Sequence, residues 1–313
     1  MSTTPRSRAA RRRHTTGSQA ALLATALLAA IAPGCASAGP SASSRPPLEL
    51  TLMDRTPDPA CTAHWVAGIR GRALDELGQP LAGGILQMCL RTEDHTQLCL
   101  APTDVEPDGW YRVVLDRELR CIQQVTLRLS ARDGAASTTY CRAPMAPVYG
   151  VLDIDEDLVV HSLEVPVERP GVGDATAMRT LRFPDGLEVD AVPGDFEFPE
   201  AYDQLAAGRV DPANADCFLD EAPSLLGLYA FGPESGIAPG AGFRIPEGTG
   251  LADGSRVELW IVGGTYTHLA DGEWIEEGTF VPYGHGTVSG GAIAPDPGSE
   301  LPYLTWLGYR RAD

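Results

Sequence analysis

Three kinds of side chain in this sequence are suited to chemistry: a histidine between glycines, carboxylates clustered beside aromatics, and cysteines. His285 stands in Tyr283-Gly284-His285-Gly286, where two small neighbours leave its ring approachable. Glu273, Glu276 and Glu277 surround Trp274. A glycoside hydrolase needs two such carboxylates, held roughly 5–9 Å apart in space. Tyr266, Trp274 and Tyr283 offer flat faces on which a sugar ring can stack. Two active readings follow. One is an extracellular hydrolase of glycan or peptide centred on His285 and Glu273. The other is a carbohydrate-binding protein using Tyr266 and Trp274. Against both, the chain has no G-x-S-x-G elbow and no H-E-x-x-H pair. With 42 Asp and Glu, carboxylate pairs are too common to discriminate, and a loop histidine or strand aromatic needs no ligand to explain it. No catalytic or cofactor-binding residue is therefore assigned.

Composition removes further chemistry. The 313 residues carry 24 Lys+Arg, every one of them Arg, and Asn214 is the single Asn. Without lysine there is no Walker A loop, no Schiff-base amine and no Lys–Asn isopeptide crosslink. A formal charge of -18 argues against a nucleic-acid partner, because such binding rests on basic residues displacing counterions. Asp153-Ile154-Asp155-Glu156-Asp157 invites weak Ca²⁺ binding, but the Gly and terminal Glu of an EF-hand loop are missing, and a solvated acidic turn accounts for it.

Cys35 raises a different chemistry. Arg6, Arg8, Arg11, Arg12 and Arg13 precede an uncharged thirteen-residue run, AALLATALLAAIA, and then Pro33-Gly34-Cys35. A basic region, a short apolar core and small residues form an export signal over 1–34. At about 1.5 Å per residue the apolar run spans about 20 Å, short of the roughly 30 Å hydrocarbon core. Ala32-Pro33-Gly34-Cys35 resembles a bacterial lipobox, which implies cleavage before Cys35 and lipidation of its sulfur. Ala32 stands where that pattern prefers Leu, and the small residues after Cys35 would also suit cleavage with release. The expectation is an outer-membrane or cell-surface lipoprotein, otherwise periplasmic or secreted, with residues 35–60 as anchor or tether.

Cys61, Cys89, Cys99, Cys121, Cys141 and Cys217 remain, an even set that reads as disulfides in an exported chain. No CxxC is present, so the spacing disfavours zinc, and no metal ligand is assigned. A hairpin turning through Thr92-Glu93-Asp94-His95 sets Cys89 opposite Cys99. Cys121–Cys141 and Cys61–Cys217 complete the expected set, without geometry behind them.

The elements that must position these residues are strands. Val125, Leu127 and Leu129 alternate with Gln124, Thr126, Arg128 and Ser130, the period of a strand with one wet face. Further strands are expected at 65–74, 84–91, 96–101, 110–116 and 158–165. The stretch IRGRALDELGQPLAGGILQMCL, followed by DVEPDGWYRVVL, resembles the carboxypeptidase regulatory-like, transthyretin-like β-sandwiches. Asp75, Gly78, Pro80, Leu81 and Gly83 fit the family's turn, and Asp108, Gly109 and Tyr111 fit its later strand start. The resemblance implies a non-catalytic accessory or adhesive module over 61–165. Beyond Pro166, Pro170, Gly171 and Gly173, a hairpin is expected around Pro184-Asp185-Gly186, a short helix over 201–207, and strands at 225–231, 255–263, 287–293 and 303–310. The fold expected is all-β, two antiparallel β-sandwich modules in tandem, the first immunoglobulin/transthyretin-like and the second over 166–313. The function expected is that of a non-enzymatic surface lipoprotein with a structural, adhesive or partner-presenting role, meeting an extracellular protein or glycan.

Overall fold

A computed structural model describes residues 45–312 except 133–134, 144, 146–148, 216, 220–223, 247, 249, 266 and 270–271. The export signal, Cys35 and Tyr266 lie outside the described residues. Residues from Pro46 onward belong to one unit, and almost all of its regular structure is strand.

Ahead of the first strand, α1 (Leu52–Arg55) is a single turn closed by a capping box. Thr51 N donates to Asp54 Oδ2 at 2.7 Å, and Asp54 N donates to Thr51 Oγ1 at 3.2 Å. From Pro46 the segment expected as tether is packed on the first module. Arg70 Nη1 donates to Pro46 O at 2.6 Å, Trp65 Nε1 donates to Asp54 O at 3.1 Å, and the buried Arg120 meets Asp54 at 2.9 Å. These pins are polar, so no apolar stripe in the sequence announced them.

The first module contains β1 (His64–Asp75), β2 (Ile85–Thr92), β3 (Gln97–Cys99), β4 (Thr103–Asp104), β5 (Trp110–Val114), β6 (Cys121–Ser130), β7 (Thr138–Ala143), β8 (Tyr149–Asp153) and β9 (Leu158–Val160). β6 runs between β2 and β7, with β3 beyond β2; β1 runs beside β5. The two groups join where His64 and Trp65 pair with Ile122 and Cys121. Val66, Ile69 and Tyr111 from one group share a core with Leu86, Leu90, Val125, Leu127 and Leu129 from the other. One detail departs from the antiparallel expectation: β8 and β9 both lie parallel to β1.

The two halves of the family-like motif meet at Ala73. Asp75 Oδ1 accepts from Leu77 N at 2.9 Å and Gln79 N at 2.8 Å, and Leu81 N donates to Ala73 O at 3.0 Å. Ala73 N donates to Gly109 O at 2.8 Å. Gly109 has φ 81°, and a Cβ there would stand 2.8 Å from Ala73 O. Gly109→Ala is expected to cost about 1–3 kcal/mol, combining left-handed strain with overpacking, read as a lowered urea midpoint.

The second module contains β10 (Arg179–Arg182), β11 (Glu188–Ala191), α2 (Pro199–Gln204), β12 (Ala206–Val210), β13 (Gly227–Pro246), β14 (Arg256–Val262), β15 (Phe280–Ser289), β16 (Ala292–Pro295) and β17 (Leu301–Arg311). The expected hairpin forms, with Gly186 at φ 88° and Asp185 Oδ1 accepting from Leu187 N. The expected helix stops early: α2 ends at Gln204, and Ala206–Val210 pairs with β13 as a strand instead. Local helical propensity loses there to an available sheet partner. β13 is long enough to pair with β17 early and β16 late. Since β16 pairs with β15, β15 with β14, and β14 with β17, the hydrogen-bonded circuit closes. Inside it lie Tyr229, Phe231, Phe243, Val257, Leu259, Leu304 and Leu307.

A third core joins the modules. Tyr140 and Leu163 pack with Ala206, Phe218, Leu228, Ala230, Val262 and Trp306, and Trp306 Nε1 donates to Thr138 O at 2.6 Å. All six cysteines expected to bond do so, but with two partners exchanged. Cys89–Cys99 closes across the register pair of β2 and β3, as the hairpin reading places it. The expected Cys61–Cys217 and Cys121–Cys141 are replaced by Cys61–Cys121 and Cys141–Cys217. The corner pairing of β1 with β6 brings Cys121 close to the segment carrying Cys61. Cys141 is left on β7, buried in the first module's core, and Cys217 reaches in from the other side of the seam to bond it.

Candidate functional site

The face of β6 and β7 that the sequence marks as wet is covered by the second module, and its polar residues are spent on contacts across the seam. Thr126 is 5% exposed. Arg128 Nη2 donates to Glu234 Oε2 at 2.6 Å, and its Nη1 donates to Thr265 Oγ1 at 2.7 Å. Glu234 lies on β13 with its side chain 3% exposed, and the Tyr140 hydroxyl donates to its other oxygen. Beside this pair, Arg91 and Arg142 both reach Glu276, and Arg142 Nη1 donates to Thr279 Oγ1 at 3.2 Å. One ladder of guanidiniums on the first module thus meets one row of carboxylates and hydroxyls on the second.

Glu277 sits in the middle of this ladder and is only 2% exposed. Its Oε1 has no hydrogen-bond partner, and its Oε2 lies 3.0 Å from Cys89 Sγ. That sulfur is in a disulfide and has no proton to give. Burial pushes the Glu277 carboxyl up to about 7, Glu234 adds to the rise, and Arg128 opposes it. Glu234 draws the Arg128 guanidinium further toward its charged form, and burial raises the Tyr140 hydroxyl well above its ordinary value. Two neighbouring carboxylates are therefore treated differently: Glu234 is paired with a cation, while Glu277 faces no donor. Such a separation suits acid–base chemistry when a substrate can reach both groups. A cavity of about 510 Å³ at the seam is lined by Arg128, Glu234, Arg169, Asp203 and Gln204, and Glu277 is not on its wall. The arrangement places this carboxyl inside a joint, off the wall of that cavity.

The residues singled out from sequence fall elsewhere. His285 is on an exposed face of β15, in register with Glu258, whose carboxylate is occupied by Arg310 and the Trp260 indole. Glu273 is exposed in the loop before β15, and Glu276 and Glu277 belong to the seam. Trp274 is 43% exposed and forms an isolated bridge with His268. Tyr283 is half-buried with its hydroxyl inward, which removes it from an open aromatic platform. In the acidic turn, Asp153 is held by Arg70 at 2.5 Å and Asp157 lies 4.0 Å from Arg72. Two Cys–Cys–carboxylate groups have metal-like spacing, Cys61–Cys121 with Glu93 and Cys89–Cys99 with Glu277. Both cysteine pairs are disulfides, so neither offers the thiolate a metal would need.

Arg128, Tyr140 and Glu234 escaped the sequence reading. One signal was present: Glu234 is the lone charge between positions 225 and 243. A single acid in an otherwise apolar strand region calls for a buried partner.

No protein-family model matches the chain, and no curated protein matches it. Among solved structures, it is similar to the shaft pilin SpaA of Lactobacillus rhamnosus GG at 7% identity and a TM-score of 0.22, covering 55% of this chain and 88% of that one. It is also similar to the full-length major pilin SpaD of Corynebacterium diphtheriae at 9% identity and a TM-score of 0.23, covering 77% of this chain and 81% of that one. Likenesses this remote assign no function.

Proposed function

We propose that this chain is an exported, non-enzymatic surface protein whose fused β modules act as a stiff scaffold for a structural, adhesive or partner-presenting role. The observation that carries the reading is the pairing of Cys61–Cys121, Cys89–Cys99 and Cys141–Cys217. Disulfides of this number persist in oxidising compartments outside the cytosol. The basic, apolar and small-residue sequence of 1–34 supports the same address. In this reading Cys35 carries lipid, the segment that follows it tethers the first module, and the partner is an extracellular protein or glycan met by loops. The first module is a carboxypeptidase regulatory-like sandwich, supported by the two motif halves meeting at Ala73.

Intact-mass and thiol-alkylation analysis of material from the producing cells tests this. The expected result is a membrane-fraction protein starting at a lipidated Cys35, with the six later cysteines closed to alkylation. A cytosolic protein retaining its leader and carrying six free thiols would overturn it.

A further inference from the structure

We propose that the seam is a proton-locked joint: the protonated Glu277 carboxyl holds the two modules closed, and losing that proton opens the seam while Cys141–Cys217 keeps them attached. The geometry around Glu277 favours the protonated carboxyl. Its Oε2 is 3.0 Å from a disulfide sulfur, which is at best a weak acceptor, so the contact is favourable when the carboxyl supplies the hydrogen. Its Oε1 meets no donor. A carboxylate there would be buried with no hydrogen bond to it.

The charged groups around Glu277 relieve it only in part. From β6, Arg128 favours the ionised carboxyl by its charge, but its Nη1 and Nη2 are engaged by Thr265 and Glu234. From β13, Glu234 adds a like charge. From β7, Tyr140 gives its hydroxyl to Glu234, and Arg142 turns to Glu276 and Thr279. From β2, Arg91 is taken by Glu276 and Cys89 has no proton. From β17, the buried Tyr303 interacts with the same two carboxylates. Glu276, the neighbour in its own turn, serves as the cation partner, and so leaves Glu277 as the group that must stay neutral. Glu277 is in the turn that enters β15, and the next residue, Gly278, lies against Thr126, Tyr140 and Arg142 of the opposing module. Ionising Glu277 therefore acts on the contact surface itself.

The sign is fixed by linkage. The closed seam holds its proton up to about pH 7, whereas a solvated glutamate releases it near 4.5. Opening becomes easier as pH rises between those values and levels off above the upper one. The full change is roughly 300-fold in the opening constant, about tenfold per pH unit. His161 also touches Trp306, edge to face at 5.8 Å, but burial lowers its pKa. Its titration favours closure as pH rises, the opposite sign.

Hydrogen exchange of the Trp306 indole N–H reads the seam directly, because that proton is donated across it to Thr138 O. In the full chain with its disulfides intact, the opening constant, corrected for intrinsic exchange, is expected to rise steeply from pH 5 to 7 and then flatten. In Glu277→Gln it is expected to stay low and show no rise, with only the opposite drift that His161 supplies. A flat wild-type profile, or a Glu277→Gln profile that matches wild type, would overturn the proposal. Carbon-13 titration of the wild-type Glu277 carboxyl gives a second reading that needs no variant. A midpoint near 7 supports the lock, and a midpoint in the ordinary glutamate range rejects it.

Discussion

Arg128→Met is expected to destabilise the protein by about 3–5 kcal/mol, the cost of leaving a buried partner charge uncompensated. Glu234 is that partner, with its side chain 3% exposed and Arg128 as its cation at 2.6 Å. The Tyr140 hydroxyl bond to Glu234 cannot replace the guanidinium, because it brings no charge. Urea denaturation measures the loss. Adding Glu234→Gln to Arg128→Met is expected to restore at least half of it, since the amide still accepts from Tyr140 and no longer buries a charge. A single-variant loss below about 1 kcal/mol would mean that the pair behaves as a solvent-screened surface bridge. That outcome would also undermine the description of the seam as closed.

The second large effect is expected from removing Cys141–Cys217 as Cys141→Ala with Cys217→Ala. This bridge spans 76 residues and is the disulfide that crosses the seam. In the chain-entropy account, a closure of that length is worth about 4 kcal/mol, and measured values for native bridges run about 2–5 kcal/mol. The loss should appear as a second unfolding transition rather than a uniform shift. Cys61–Cys121 and Cys89–Cys99 still staple the first module, while the second keeps only the backbone connection to it. A single transition with an unchanged midpoint would show that the apolar cluster around Trp306 holds the modules without covalent help.

How much of this was legible beforehand follows from the physics of each feature. The alternation at Val125, Leu127 and Leu129 identified both a strand and its buried side, because a strand must place every second residue on one face. The turn residues Asp75, Gly78, Asp108 and Gly109 were legible for a similar reason: their roles depend on local dihedrals and on hydrogen bonds to near neighbours. Cys89–Cys99 belongs to the same class, since it closes a hairpin. The other bridges do not. They depend on which strands meet at the corner and the seam, and a pattern along the chain carries no distance between remote segments. Arg128 shows this most plainly. Its position opposite an apolar face implied water, yet the covering surface came from a module beginning some forty residues later in the sequence than β7.

The sequence alone determined that this protein is all-β, strongly acidic, free of lysine and built for disulfides, because those properties are set by composition and by periods of a few residues. The tertiary structure decided which cysteines pair, that the second module closes its strand circuit, and that a polar face became an interface holding Glu277 without a donor. Those outcomes rest on long-range packing, where a side chain's environment is supplied by residues far from it along the chain.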